Sequence, residues 1–394
     1  MTSRRDVLLR EVLRRELHTA VELRRELHAE PRLSGKEGPT LKRVLDALPG
    51  GQVEHVAGTG ALLRVGGAGP AVGVRGELDG LPIVERTGVP WASVNGAMHA
   101  CGHDVHLAAV VALARAVDRV TDVLGPRDGG VTPLVVVLQP REESYPSGAA
   151  DIVRSGALGR HRITAMIGAH VQPVLDDGVI ACTPGAVNAS SDEFRVTVRG
   201  KEGHAAYPHL ARDPVVAMAQ VIVAAQQLVS RAADPMTPTV VTFGTVHAGT
   251  APNAIPGEAV ARGTLRSLSQ PWRETLHERF AQMAADVARA HGCEAEVTVL
   301  PGEPVLVNDA SLAVRTGELL RARGRTVTAE LRSCGADDFA QYGALVPSLM
   351  MFVGVDTETG LHTPGFLPDD ASVGAVAESM LAGYLAADES TASL

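Results

Sequence analysis

The spacing of apolar and polar residues divides the chain into segments typical of helices and strands. Residues 4–25 place Leu and Val at helical spacing among Arg and Glu, which predicts a solvated amphipathic helix. Apolar runs at 61–65, 71–74, 134–138 and 163–168 then alternate with helical patterns, including one over 106–117. This alternation predicts an α/β fold with a mostly parallel central sheet flanked by helices, and active chemistry at the strand ends.

The pattern changes near residue 187. Phe194, Val196 and Val198 alternate with polar residues, as in a half-exposed strand. The segments that follow are a helix at 214–228, strands at 239–243 and 259–265, a helix at 272–290 and a strand at 294–300. This β-α-β-β-α-β order predicts an inserted α+β, ferredoxin-like domain.

Alternating helices and strands resume after residue 301, with a helix at 311–323, a strand at 348–353 and a closing helix at 371–387. We therefore expect a discontinuous catalytic domain formed by residues 1–186 and 301–394. Residues 187–300 would form the inserted domain. A chain of 394 residues is long enough for two such cores.

Composition and charge narrow the class of protein. The formal net charge of −9 argues against a nucleic-acid-binding surface. We find no uninterrupted apolar run of membrane-spanning length and no signal-peptide pattern, so a cytoplasmic protein without a membrane partner is expected. Four cysteines in this length predict reduced thiols rather than a disulfide framework.

A Cys-x-His pair, Cys101 and His103, lies just before an apolar helix. A thiolate and an imidazole two residues apart can face one point from a loop, as a zinc-type site requires. The alternative interpretation is a buried structural thiol beside surface histidines.

Glu142 and Glu143 follow the apolar run 134–138. Adjacent carboxylates at a strand end point in different directions, so one can bind metal while its neighbour acts as an acid or base. A solvated turn is the alternative. His170 and His362 also lie at a strand end or in a loop, where a lone histidine is more often structural. Four such segments together predict a metal site.

At this point the sequence resembles the M20 family of metallopeptidases and amidohydrolases, in the branch that hydrolyses N-acyl amino acids, hippurate and indole-acetyl amino acids. The resemblance extends over nearly the whole chain. Its segments are 24–28, 31–34, 75–82, 98–103, 142–143, 203–206, 213–214, 252–256 and 360–362.

The resemblance implies two divalent metal ions per chain, Zn, Mn, Co or Ni. The ligands it implies are Cys101, His103, Glu143, His170 and His362. Glu142 would be the general base that deprotonates the attacking water and returns the proton to the leaving nitrogen. The substrate would be a small-molecule amide that carries a carboxylate.

In the same family, the histidine that matches His204 reaches the active site of a partner subunit and can stabilise the oxyanion. The resemblance therefore implies a homodimer formed through the inserted lid and dimerisation domain. It also makes Asn253 and Arg266 candidate ligands for the substrate carboxylate. A surface charge on an alternating strand is the alternative for Arg266.

The chain departs from the family pattern at three places. Glu77 replaces the first Asp of the usual Arg-Ala-Asp-Met-Asp-Ala run, so the group expected to support the site, together with Asp79, is one methylene longer. Residues 144–147 read Ser-Tyr-Pro-Ser instead of a glycine-rich run, and residues 337–339 read Asp-Asp-Phe instead of Glu-Asp-Phe. We therefore expect the substrate pocket to differ from that of common members.

Three other functions stay open from the sequence. A dipeptidase or carboxypeptidase would use the same mechanism. A metal- or small-molecule-binding relative would keep the fold without turnover. A zinc-stabilised structural module would have a closed coordination sphere, whereas Glu142 beside Glu143 favours a catalytic site.

Overall fold

The computed structural model describes residues 3–125 and 131–391, and within these ranges the chain forms two compact units. Unit 1 extends to Gly185 and resumes over Val307–Leu331 and from Asp338 onward. Unit 2 comprises Ala186–Leu306 and Arg332–Asp337. The combination of helices and β-sheet agrees with the expected α/β fold class at this coarse level.

Helices and strands are numbered in chain order. The helices are α1 (Arg4–Ala29), α2 (Gly38–Ala47), α3 (His103–Leu124), α4 (Gly148–Ser155), α5 (Ala157–Arg160), α6 (Pro214–Gln227), α7 (Gln270–Ala290), α8 (Ala310–Ala322) and α9 (Ala371–Thr391). The strands are β1 (Val53–Val56), β2 (Gly60–Val65), β3 (Ala71–Glu77), β4 (Leu134–Gln139), β5 (Ile163–Gln172), β6 (Ile180–Ala181), β7 (Gly185–Asn188), β8 (Asp192–Arg199), β9 (Gly203–His204), β10 (Thr239–Ala248), β11 (Ala254–Ile255), β12 (Glu258–Ser267), β13 (Glu294–Pro301), β14 (Leu306–Asn308), β15 (Val327–Thr328) and β16 (Ser348–Gly354). Short 3₁₀ and π turns lie at Pro208–Leu210, Leu228–Ala232 and Asp338–Ala344.

The sheet of unit 1 is mixed, where the sequence predicted a mostly parallel one. Its strand order is β1-β2-β4-β3-β5-β16-β6-β15. The ladders β4–β3, β3–β5, β5–β16 and β6–β15 are parallel, and β1–β2, β2–β4 and β16–β6 are antiparallel. Only five residues join β2 to β3, too few for a crossover, so β3 runs back and β4 pairs antiparallel with β2.

Helix α3 forms the centre of the unit 1 core. Its apolar residues from Val105 to Val120 are almost fully buried, and they pack with β3, α1 and α9. A helix that is apolar on all faces requires this central position. Because β3, β4 and β5 run parallel, their carboxyl ends meet at the same edge of the sheet. The start of α3 carries His103 to that region.

Unit 2 contains an antiparallel sheet of order β10-β12-β8-β13. Helices α6 and α7 contact each other and the sheet, and Phe194 and Phe280 are buried between these layers. The segment 332–337 belongs to this unit because the Ser333 backbone bonds Val187 and Ala189. Our expected boundaries assigned that segment to the first domain, since no pattern in the sequence indicates the pairing.

One helical segment among the described residues, Pro214–Ala232, is long and apolar enough to span a membrane by length and composition alone. From the sequence we expect no such segment, because Gln220 and Gln226 interrupt the apolar run of this helix. Ala217, Met218 and Val221 from this helix lie in the core of unit 2. A core helix passes the same test, so the segment is weak evidence for a membrane span.

Candidate metal centre

The loop before α3 places Cys101 and His103 side by side. Gly102 between them has φ +81°, and a Cβ at this position would lie 2.4 Å from Cγ2 of Val171. The left-handed backbone and the close approach of β5 both favour glycine here. The helix begins at His103, three residues earlier than the pattern predicted, so the imidazole belongs to its first turn.

The tautomer of His103 follows from its neighbours. Nδ1 lies 2.8 Å from the Asp79 carbonyl oxygen, and because a carbonyl only accepts, Nδ1 is the protonated nitrogen. Nε2 is buried, has no hydrogen-bond partner among the described residues, and lies 3.8 Å from Oε2 of Glu142. Burial lowers the pKa of His103, but the Glu77, Glu143 and Asp79 carboxylates more than offset this and raise it. The negative charge around Nε2 thus favours a positive charge at this point, which a bound cation can supply in place of a proton.

Cys101 lies between two further imidazoles. Its Sγ is 3.3 Å from Nε2 of His170 and 3.3 Å from Nε2 of His362. Nε2 of His362 is also 3.3 Å from Oε1 of Glu143. His170 donates its Nδ1 proton to the Val171 carbonyl at 2.6 Å, which directs Nε2 toward the thiol. All five residues expected to bind metal thus lie in unit 1, in overlapping groups of donor atoms.

Asp79 supports the paired glutamates through the backbone. Its Oδ1 accepts from the Glu142 amide at 3.2 Å, and its Oδ2 accepts from the Glu143 amide at 3.0 Å and from the Ser34 hydroxyl at 2.7 Å. The carboxylate therefore fixes the turn that carries both glutamates, besides the bond that its carbonyl accepts from His103. Sequence reasoning grouped Asp79 with the supporting residues without this contact.

His106 is a residue of the site that sequence reasoning did not assign. Its Nε2 accepts from the Val171 amide at 3.0 Å, so Nδ1 carries the proton and donates to Oε2 of Glu77 at 3.2 Å. Oε1 of Glu77 accepts from Arg75 at 2.5 Å. Because both of its ring nitrogens are hydrogen-bonded, His106 fixes the part of β5 that carries His170. Burial raises the pKa of Glu77, but Arg75 and His106 hold it well below its usual range.

A second buried network anchors the start of α3. Asp104 accepts from Arg24 at 3.1 Å and from Nδ1 of His28 at 3.0 Å, and Nε2 of His28 lies 3.0 Å from Glu85. Burial lowers the pKa of His28, but the two carboxylates more than offset this and raise it to about 9. The residue after His103 is therefore tied to α1 through charged hydrogen bonds.

The electrostatics of the cluster fit two divalent cations. Burial raises the pKa of the Cys101 thiol well above its usual value, and Glu143 and Glu142 add to the shift. Half-buried carboxylates, a buried thiol and imidazole nitrogens lie within 4.8 Å of one another in groups of donors such as Cys101–Glu143–His362 and His103–Glu142–Glu143. Divalent ions would neutralise this charge and favour the thiolate.

The remaining candidate residues lie in unit 2. His204 is in the short strand β9, beyond the end of β8 where the sequence placed it, and pairs with Ala254 of β11. The Ala205 amide donates to the Asn253 carbonyl at 3.1 Å, so His204 and Asn253 are neighbours. Arg266 on β12 donates to the Cys334 carbonyl at 2.9 Å. Within unit 2, then, His204 and Asn253 come together, and Arg266 has a backbone partner.

One family model and several known relatives match most of the chain. The model of peptidase family M20/M25/M40 matches residues 73–381. An N-acetyldiaminopimelate deacetylase of Exiguobacterium sibiricum is 34% identical over 362 residues, covering 90% of this chain and 95% of that protein. An N-acetylcysteine deacetylase of Bacillus subtilis is 33% identical and covers 90% and 92%, respectively.

Two solved structures are also similar. The first is a protein from methicillin-resistant Staphylococcus aureus, provisionally described as an aminohydrolase, with TM-score 0.88, 29% identity and coverage of 97% of this chain and 99% of that one. The second is a dinuclear metal-binding peptidase of the M20 family from Bacillus subtilis, with TM-score 0.79, 28% identity and coverage of 94% and 99%.

Proposed function

The chain belongs to peptidase family M20/M25/M40, a family of amide-bond hydrolases, and from this premise we propose that it removes the acyl group from an N-acyl amino acid. The observation that carries the proposal is that Cys101, His103, Glu143, His170 and His362 lie in overlapping groups of donor atoms, with Glu142 beside His103. Two relatives that each align with 90% of the chain are named as deacetylases of N-acetyl amino acids.

The proposed ligands of the two divalent ions are these five residues. When bound, the ions supply Lewis acidity that polarises the scissile carbonyl and acidifies the attacking water. The Glu142 carboxylate accepts the proton of that water and then donates it to the leaving nitrogen, which releases a free amine and a carboxylate. Asp79 and Glu77 hold the ligand-bearing segments in place. We favour zinc or manganese, while the mixed donor set also suits cobalt or nickel.

The residues that we propose for substrate binding lie in unit 2. Asn253 and Arg266 are proposed to bind the carboxylate of the substrate, for which a planar guanidinium is suited. Arg266 is half-buried on β12, and among the residues that the structure describes its guanidinium has one acceptor, the Cys334 carbonyl. Its other donors can therefore bind a carboxylate. A dipeptidase or carboxypeptidase is the alternative, and a binding relative without turnover is the second alternative.

A substrate panel separates these possibilities. We expect purified protein to release amino acids from N-acetyl and longer N-acyl amino acids faster than from dipeptides of the same amino acid. Methyl esters of the best substrates serve as the control, because they lack the carboxylate and are expected to raise KM. Faster cleavage of dipeptides would favour the peptidase alternative, and no hydrolysis across the panel would favour a binding protein.

We further propose that unit 2 is a ferredoxin-like lid that also mediates homodimerisation. Helix α6 carries Val216 and Val223 with 49% and 67% of their surface exposed, although the helix is apolar. Strand β10 forms an edge of the sheet and is exposed over its second half. A second copy that covers this face would bury the valines and pair the edge.

The free cysteines are consistent with the cytoplasmic location that we propose.

The dimer proposal predicts subunit complementation through His204. We expect His204→Ala and Glu142→Gln homodimers to be nearly inactive, because each lacks one group of every composite site. Mixed dimers would contain one site with both groups intact and should regain a measurable fraction of wild-type activity. Subunit exchange is verified with differently tagged chains, and exchanged but inactive mixtures would rule out the shared site.

A further inference from the structure

We propose that Glu37 is a positioning residue for the reaction, holding the turn that carries Glu142 and Glu143. Glu37 lies in the segment between α1 and α2, about a hundred residues before that turn in the chain, and its side chain is fully buried. It belongs to none of the groups of donors that could hold a metal ion among the described residues. The inference rests on the function proposed above, which it deepens.

The Glu37 carboxylate accepts three hydrogen bonds, one of them from the backbone of the turn. Its Oε1 accepts from the Arg141 amide at 3.0 Å and from the Gly35 amide at 2.8 Å. Its Oε2 accepts from the Thr59 hydroxyl at 2.6 Å. Three hydrogen bonds thus hold the carboxylate, and the one from the Arg141 amide reaches the turn that carries Glu142 and Glu143.

Three consecutive amides of the turn therefore bond to buried carboxylates. Glu37 accepts from Arg141, while Asp79 accepts from Glu142 through Oδ1 and from Glu143 through Oδ2. We name this arrangement of Glu37, Asp79 and residues 141–143 the carboxylate clamp. Charge-assisted bonds of this kind are stronger than bonds between neutral groups.

The turn needs such a clamp because its backbone is strained. Arg141 has φ +50°, a left-handed conformation that a non-glycine residue with a long side chain rarely adopts. Immediately behind the turn, Gly148 donates its amide to the Arg141 carbonyl at 3.1 Å. Strained backbone persists only where the surroundings determine it, and here Glu37 supplies the acceptor at the strained residue itself. Loss of that acceptor would let the turn relax and move both glutamates.

The test compares Glu37→Ala with Glu37→Gln. The Gln oxygen can still accept from Gly35 and Arg141, and its NH₂ group can donate to the Thr59 hydroxyl, so this variant should keep near-normal behaviour. For Glu37→Ala we expect kcat to fall about 10–100-fold with KM changed by less than about threefold, and metal affinity to fall by about tenfold. Hydrogen exchange of the peptide that contains residues 141–143 should accelerate in this variant.

A matched control separates positioning from general destabilisation. Leu320→Ala truncates a fully buried side chain of α8 and lowers thermal stability without touching the clamp. It should keep kcat and the exchange rate of the 141–143 peptide. Glu37→Asp, one methylene short of the Arg141 amide, provides a second variant and is expected to follow Glu37→Ala.

Two results would overturn the inference: unchanged exchange of the 141–143 peptide in both Glu37→Ala and Glu37→Asp, or a loss of kcat no larger than that of Leu320→Ala at equal thermal stability. Exchange and metal affinity are measured without substrate. A failure of the proposed amidohydrolase activity would therefore appear as an inactive wild-type protein, with the Glu37 effects on exchange and metal binding still present.

Discussion

Glu142→Gln is expected to lower kcat by about 10²–10⁴-fold while leaving metal content and fold unchanged. The amide keeps the shape and backbone position of the residue but cannot accept the proton of the attacking water. Oε2 of Glu142 lies 3.8 Å from Nε2 of His103, close to the proposed metal ligands. Measurements of kcat, KM and metal content on the same protein preparation test this expectation.

Glu143→Gln serves as the contrast to Glu142→Gln. Glu143 contacts His362 at 3.3 Å and belongs to the donor group of Cys101, so its loss should reduce metal content as well as activity. Near-normal turnover of Glu142→Gln, or a loss of metal equal to that of Glu143→Gln, would remove Glu142 from the role of general base.

Cys101→Ala should weaken metal binding by more than the roughly 10–100-fold that is typical when a partner behind a metal ligand is lost. The sulfur lies 3.3 Å from both His170 and His362, so its removal takes one donor from the middle of the cluster. Activity should fall with metal occupancy, and excess metal should restore part of it. Equilibrium competition with a chromophoric chelator measures the affinity.

Cys182→Ala provides the matched control for Cys101→Ala. Cys182 is also buried, its thiol donates to the Ala313 carbonyl at 3.0 Å, and burial raises its pKa to about 12. This thiol belongs to none of the metal-binding groups found among the described residues. Its loss should change stability but not metal affinity. Equal metal affinity in the two variants would make Cys101 a structural thiol.

The candidate metal ligands could be proposed from the sequence because their residue types are rare in those settings. A Cys-x-His pair before an apolar helix and two adjacent glutamates after a strand indicate chemistry without any knowledge of the fold. Residues that act through the backbone leave no such mark. The sequence analysis assigned no role to Glu37, and only the fold shows that it contacts Arg141.

The missed parts of the fold have similar causes. His106 occupies a helical position within an apolar pattern, so its bond to the Val171 amide could not be inferred from spacing. His170 lies within β5, not after it, because the strand continues to Gln172 beyond the apolar run. The antiparallel β2–β4 ladder follows from the short β2–β3 connection, which the periodicity of apolar residues does not reveal.

This chain is a hydrolase of a metal-dependent family, and we propose that its activity depends on two metal ions held by Cys101, His103, Glu143, His170 and His362. The most direct test is stepwise metal addition to chelator-treated protein, with bound metal and hydrolysis of an N-acetyl amino acid measured at each step. We predict an inactive metal-free protein, activity that rises with metal content and saturation at two ions per chain. Full activity in the metal-free protein would show that hydrolysis does not depend on metal ions.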